Sequence, residues 1–367
     1  MAERVLTVRE LNRATLARQL LLERRPLTAA DAIERLAGLQ AQAAAPPFVG
    51  LWTRLRDFDA DELRRLIGAK KVVRATMMRH TVHLMTVDDY VRFREPIQPA
   101  LERMFGGITS KRVTQAELDV AVAAARERFA ERPHTFAEIR RLIEELLPDA
   151  DHAAVAYGVR THVRLVAQPT DGRWCFSGTA PYALSEQFLG RNLRRSTDPS
   201  ELIVRYLAAF GPATVADVQA WSGRPGLRDA VDALRPKLRT FRDERGRELF
   251  DVPDGPLPDP QTPAPVRFLA DWDNTILSHA DRTRVIADEH RKAMVKAARV
   301  YAGVLLDGIV AGRWGVEKKG KKATLVVTPF RRLVKAERTA LAAEAEPLVR
   351  FAHPDMKTHD VRFDPPA

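Results

Sequence analysis

The chain has 367 residues, 45% of them hydrophobic, which is long enough for two to four modules that each bury an apolar core. Its formal charge is +11, its sequence pI is near 10.0, and it has one cysteine, Cys175. These totals exclude an intrachain disulfide and a cysteine-rich zinc site, and they favour a polyanionic partner, nucleic acid first. High-GC coding also raises arginine and alanine, so charge alone argues for attraction and not for a site. Apolar runs stay short of the ~20 residues that span a bilayer. The opening "MAERVLTVRE" lacks the apolar stretch of a secretion signal, so a cytoplasmic protein with no membrane partner is expected.

A short signature recurs along the chain: "TAADAI" at Thr28, "TFAEIR" at Thr135 and "TVADVQ" at Thr214. Each places an acid three residues after a threonine and opens an apolar-periodic run. That pattern is a capping box, in which the hydroxyl accepts from a first-turn N–H and the acid reaches back. A helix is predicted before each signature, in "VRELNRATLARQLLL", "VTQAELDVAVAAARERFA" and "SELIVRYLAAFG". A second helix is predicted after each, in "ADELRRLIGA", "HAAVAYGVRTHV" and "GLRDAVDALRPKL". A β-hairpin then follows, in "KVVRATMMRHTVHLMT", "RLVAQPTDGRWCFSG" and "LRTFRDERGRELFDVP", with Asp-Gly and Arg-Gly as the last two turns. Helix, helix, helix and hairpin is the layout of a winged helix.

Beyond residue 253 the proline-rich "PDGPLPDPQTPAP" reads as a connector. Strands are predicted in "PVRFLADWD", in "RVYAGVLLDGIVAGRWGVEKKGKKATLVVTPF" and in "VRFAHP", with bends at Gly303, Gly308 and Gly312. "KKGKK" forms a charged hairpin tip, and a helix is predicted in "RLVKAERTALAAEAEPLVRF". Short strands with spaced glycines suggest a small barrel. The expected fold is therefore α+β: three tandem winged-helix modules at 1–95, 96–195 and 196–254, followed by a β-barrel at 255–367. With three DNA-facing modules in one chain, a monomer is the simplest expectation.

Chemistry is sparse. There is no GxGxxG, Walker loop, HExxH or GxSxG, and no cofactor or metal is expected. His80 and His83 have a possible ligand spacing, but on a strand they point to opposite faces. His279, Asp281 and Arg282 form a polar cluster in "SHADR" that reads as a salt-bridged loop or as a functional one. In "GLQAQAAAPPFVGLW", Gln40 and Gln42 fall at the predicted end of the helix that starts after Thr28. Two residues apart is ~200° around a helix, so an unbroken helix cannot bring both amides together. The break expected at Pro46-Pro47 would let them converge. The pair thus reads as two solvated amides at a helix end or as a constructed pair.

Five stretches together carry a resemblance: "LQAQAAAPPFVGLWTRL", "VRATMMRHTVHLMTVDDY", "AAFGPATVADVQAWSG", "LADWDNTILSHADRTRVI" and "GVLLDGIVAGRWGVEKKG". In type and order they resemble the AlkZ-like bacterial DNA glycosylases, a winged-helix family. The resemblance implies tandem winged helices with a β-barrel. It also implies a catalytic Gln-x-Gln, which Gln40-Ala41-Gln42 matches, and monofunctional excision of bulky N7-alkylguanines from double-stranded DNA. The setting it implies is alkylation repair or self-resistance to a DNA-alkylating natural product.

By the same resemblance His279 and Arg282 would contact DNA from a minor-groove hairpin, with Asp281 orienting one of them. Arg79, Thr81 and His83 would line the active site from the first wing. Lys318 and Lys319 read as backbone contacts or as a solvated turn. Chemically, an N7-alkylated guanine is already cationic and leaves as a neutral base, so it needs no strong acid. Two amides would suffice to hold a water, with their carbonyl dipoles facing the oxocarbenium-like transition state. A non-enzymatic winged-helix regulator, or a protein that binds the lesion or drug, is the alternative.

Overall fold

Threonine caps set the helix starts. The computed structural model describes residues 4–109 and 111–367. Thr28 accepts from the Asp31 N–H, and Thr135 and Thr214 form complete capping boxes with Glu138 and Asp217. Helices follow at Ala29–Arg35, Phe136–Leu146 and Val215–Ser222. The preceding helices lie at Val8–Arg18, Gln115–Glu131 and Ser200–Phe210, and the following ones at Ala60–Gly68, His152–His162 and Arg228–Leu234, where the periodicity puts them. A helix missing from the sequence reading, Val87–Thr109, contains Pro96 and Pro99 and buries Tyr90, Phe93, Ile97 and Leu101.

The first and third hairpins form as expected: Val72–Thr76 pairs with Val82–Thr86, and Arg239–Asp243 with Glu248–Asp251. The second does not. Leu165–Ala167 passes over the Asp171-Gly172 turn and pairs with Tyr182–Leu184. The chain between closes on itself instead, with the Thr170 N–H on the Cys175 carbonyl at 2.8 Å. Hairpins one and two then merge into one five-stranded sheet, in which Val72–Thr76 lies between Val82–Thr86 and Leu165–Ala167. The N-terminal strand Val5–Leu6 runs parallel to Arg239–Asp243 and joins the two ends of the helical region. A buried ion pair reinforces that joint: Arg18 donates to Asp251 at 2.6 and 3.0 Å.

The C-terminal strands form a second five-stranded sheet over one face of the helix Lys335–Ala352. Its end strands, Arg267–Phe268 and Thr358–Phe363, are not neighbours in the hydrogen-bonding order, so among the described residues the sheet stays open and no barrel closes. "VRFAHP" is not a strand: Val349, Arg350 and Phe351 complete that helix, and the strand is Thr358–Phe363. The architecture is mixed α+β. No helix of the described residues is long and apolar enough to cross a membrane.

Candidate active site

Gln40 and Gln42 are not at a helix end. The helix from Ala29 stops at Arg35, closed by the Gly38 N–H on Ile33 O at 2.9 Å and the Ala37 N–H on Glu34 O at 3.1 Å. Gly38 has φ +85°, and a Cβ there would lie 2.3 Å from the Met85 sulfur, so glycine lets this backbone press against the first hairpin. Leu39–Gln40 then becomes an edge strand on Val82–Thr86, with Gln40 opposite His83. The Ala41 N–H extends the ladder to Val82 O at 2.7 Å. Pro46-Pro47, expected as a break, opens the helix Pro46–Trp52, where a missing first-turn N–H costs nothing. Gln40 ends that strand, and Gln42 lies in the bend that follows it. The strand removes the helical objection to a converging pair.

Both carboxamides are fixed by obligate donors. The Val82 N–H donates to Gln42 Oε1 at 2.8 Å, and Arg79 Nη2 donates to Gln40 Oε1 at 2.9 Å. Neither donor can accept, so both carbonyl oxygens are turned inward and both NH2 groups away from these donors. Neither Nε2 has a protein partner among the described residues. This reverses the dipole orientation expected from the chemistry alone. Gln40 is 6% exposed, whereas Gln42 lies at the surface. Arg74 supports the loop from beneath, donating to Ala41 O at 2.9 Å and Gln42 O at 3.3 Å.

Arg79 reaches Gln40 from a left-handed turn, with φ 54° at Arg79 and 57° at His80. Thr81 closes that turn: its N–H and hydroxyl both donate to Met78 O. Arg79 also donates to Trp221 O at 2.8 Å and Asn274 Oδ1 at 3.4 Å. Among the described residues, its partners include no carboxylate. Burial, then the charge of Arg282, pulls its pKa down to about 10, so it stays cationic. His83 is fully buried. Its Nδ1 lies 3.1 Å from Thr81 O and its Nε2 has no partner. Burial, then Arg79, lowers its pKa to about 3, so the ring is neutral. His80 faces elsewhere, 2.8 Å from the Thr161 hydroxyl, with its pKa lowered to about 4 by burial.

Sequence reasoning missed the support behind this turn. Asn274 donates to Gly38 O at 3.0 Å while its Oδ1 faces Arg79, so one side chain ties the glycine bend to the arginine. Asp273 caps the Asn274–Leu277 turn and accepts from buried Arg54 at 2.8 Å. The signal available was Asp-Asn-Thr, a capping triplet inside an otherwise apolar stretch.

The "SHADR" cluster is placed differently from the expectation. His279 is 1% exposed, with Nε2 at 3.1 Å from Phe210 O, and burial, then Arg284, lowers its pKa to about 3. The ring is a neutral internal strut with no surface to offer a phosphate. The Ala280 N–H donates to Asp217 Oδ1 at 2.9 Å, so the capping acid of the third signature also holds this segment. Asp281 accepts from Arg245 at 3.0 Å and Arg247 at 2.7 Å. Burial opposes its ionisation, but Thr283 and Arg247 outweigh it and hold the carboxyl well below the usual range. Asp281 thus orients the third hairpin's arginines. Arg282 is half-buried, bonds only weakly to His279 O at 3.4 Å, and has no ion pair among the described residues. Lys318 and Lys319 are exposed at the tip between Ile309–Lys319 and Lys322–Pro329.

A family model described as DNA glycosylase AlkZ-like matches residues 33–351. An interstrand DNA cross-link repair glycosylase of Streptomyces sahachiroi is 25% identical over 345 residues, covering 85% of this chain and 88% of that protein. The solved structure of the Streptomyces sahachiroi DNA glycosylase AlkZ superposes with a TM-score of 0.78 at 22% identity, over 98% of this chain and 100% of that one. The glutamine strand, the Arg79 turn and Asn274 all fall inside the matched span, and the non-enzymatic alternative gives way: the chain belongs to the AlkZ-like DNA glycosylase family and is a DNA glycosylase.

Proposed function

We propose that this protein hydrolyses the N-glycosidic bond of cationic N7-alkylguanine in double-stranded DNA, bulky and crosslinked adducts included. The observation that carries the reading is the pair of carboxamides held by Arg79 and the Val82 N–H, with no carboxylate bonded to either. The C1′–N9 bond breaks and its electrons pass to the positively charged base, which departs neutral. Water adds to C1′ and gives its proton to solvent. The NH2 groups, turned away from the anchoring donors, face the site: one donates to the water oxygen, which keeps its other lone pair for C1′. Tethering both oxygens keeps the amides from flipping, which holds the water in line and saves ordering entropy. An undamaged guanine brings no charge, so its release should be negligible.

In this reading Arg282, half-buried and without an ion pair among the described residues, meets a backbone phosphate, while Arg79, committed to Gln40, Trp221 O and Asn274, lines the active site. His279 and Asp281 hold that surface in shape and do not touch DNA. Thr81 and His83 shape the turn beside the glutamines, and the Lys318–Lys319 tip adds non-specific attraction. The modular division into three winged helices, supported by the repeated caps and hairpins, fits a cradle for duplex DNA, as does action as a monomer. A role in alkylation repair or in self-resistance to an alkylating natural product follows from the same chemistry, and is supported by a relative named for cross-link repair.

The test is alkali-revealed strand cleavage on duplexes carrying N7-methylguanine or an N7-guanine crosslink, with undamaged duplex as control. Cleavage at the adduct alone is expected. Equal cleavage of undamaged guanine, or none at either adduct, would sink the substrate assignment.

A further inference from the structure

A crevice of about 250 Å³ is lined in part by the residues that follow the glutamine loop. Ala43 and Ala45, which follow Gln42 directly, and Val49 form one wall. Trp174 forms a second, and Trp314 and Gly315 of the C-terminal sheet form a third. With Ala270 and Asp271, Arg299 and Ala302, and Ala352 and His353, six separate stretches of chain meet here without filling the space. The Trp174 ring packs edge-on against Phe48 at 4.9 Å, and the Trp314 indole N–H is already spent on Leu269 O at 2.8 Å. Trp314 therefore offers a ligand carbon surface, whereas the Trp174 ring already carries the Arg173 guanidinium at 4.6 Å. The polar groups at this crevice are Arg299, which donates to Asp271 at 2.8 Å, Asp271, which also accepts from the Ala302 N–H at 2.8 Å, and the His353 ring.

The lining selects an uncharged, flat, apolar group, since aromatic walls reward ring contact. The volume lies below the roughly 300 Å³ at which pockets for whole drug-sized molecules begin, so the group is a fragment of about one or two rings. We propose that this crevice is a subsite for the adduct's substituent, taking a one- or two-ring aromatic group attached to the alkylated purine. The proposal rests on the substrate reading above, and its position explains the link. The base addressed by Gln40 and Gln42 carries its substituent covalently, and the crevice begins one residue beyond Gln42.

Gly315 gives the cleanest test. A Cβ built there meets no atom within 4 Å, and Gly315 lines the crevice, so Gly315→Leu starts from open space and adds bulk there. Base release by the full chain would be followed under single-turnover conditions on two duplexes, one with N7-methylguanine and one with N7-(naphthylmethyl)guanine. Gly315→Leu should leave methyl release within twofold and slow naphthylmethyl release at least tenfold, with Trp174→Ala shifting the same ratio in the same direction. An unchanged ratio, or equal losses on both duplexes in the correctly folded variants, overturns the subsite. If Gly315→Leu does not fold, as judged by circular dichroism, Ala45→Leu fills the same space from the opposite wall and decides the matter. Wild type that releases neither adduct overturns the substrate reading, and the subsite with it; release of both with an unchanged ratio overturns the subsite alone.

Discussion

Two hairpins written in similar terms in the sequence end in different surroundings. In the first, every residue of Val72–Thr76 and Val82–Thr86 is buried, because the hairpin occupies the middle of a five-stranded sheet. In the third, Arg239–Asp243 is part-exposed and the sheet has three strands. Their turns differ more. The third reverses through Gly246 at φ 75°, where glycine adopts the left-handed region freely. The first puts Arg79 and His80 there instead, a cost of roughly 1–3 kcal/mol for each residue. A turn that only reverses the chain uses glycine, whereas a turn that must aim a guanidinium at Gln40 keeps the side chain and tolerates the strain.

The largest effect should come from the glutamines that the strained turn serves. Gln40→Ala with Gln42→Ala should lower single-turnover release from N7-methylguanine duplex by about 10³, the scale of losing preorganised donors, while a filter-binding Kd moves less than twofold. Substantial residual release would mean the strain serves something else. Arg79→Gly separates the two roles of that turn. Release should fall about 100-fold, by analogy with loss of one positioning donor, while the melting temperature changes little, because glycine's fit to the left-handed turn offsets the lost bonds to Trp221 O and Asn274. A marked fall in melting temperature would make Arg79 a structural residue.

Acid should expose the first hairpin's burial. His80 and His83, with His279, sit near pKa 4, 3 and 3 when folded, so from about pH 6.5 downward the unfolded chain binds protons that the folded chain refuses. That lowers stability as pH falls. Asp89 acts in the opposite sense, since burial raises its carboxyl to about 7 and the folded chain holds a proton there. With three rings against one carboxyl, stability should drop by about 2–3 kcal/mol per pH unit near pH 5.5, read by urea melts. A flat profile from pH 6.5 to 4.5 would contradict it. Arg282→Ala should be milder, weakening DNA binding less than tenfold and cutting the salt slope by about 1; an unchanged slope would remove Arg282 from the phosphate contacts. Smallest on activity, Gly246→Ala in the third hairpin should cost about 1 kcal/mol of stability and leave release unaltered. Impaired release would blur the contrast between the hairpins.

Local signals in the sequence were reliable where the interaction itself is local. The threonine caps bond three residues along the chain, and the Arg245-Gly246 turn closes within its own hairpin. The Asp171-Gly172 turn looked equivalent, yet Leu165–Ala167 is claimed by Tyr182–Leu184, itself bridged to His134. Gln40 and Gln42 were identifiable as a motif but misplaced on a helix, because a two-residue strand exists only by virtue of its partner, Val82–Thr86. His279 looked like a surface donor because nothing nearby in the sequence announces that Phe210 supplies its acceptor.

By itself, then, the sequence determined the periodic helices, their caps, the glycine turn of the third hairpin and the presence of two neutral amides, all products of interactions within a few residues. Tertiary structure alone decided which way those amides face. The Val82 N–H, Arg79 and Asn274 come from remote stretches. Only folding brings the two one-way donors, Asn274 and the Gly38 carbonyl together, and a carboxamide has no orientation until its partners do.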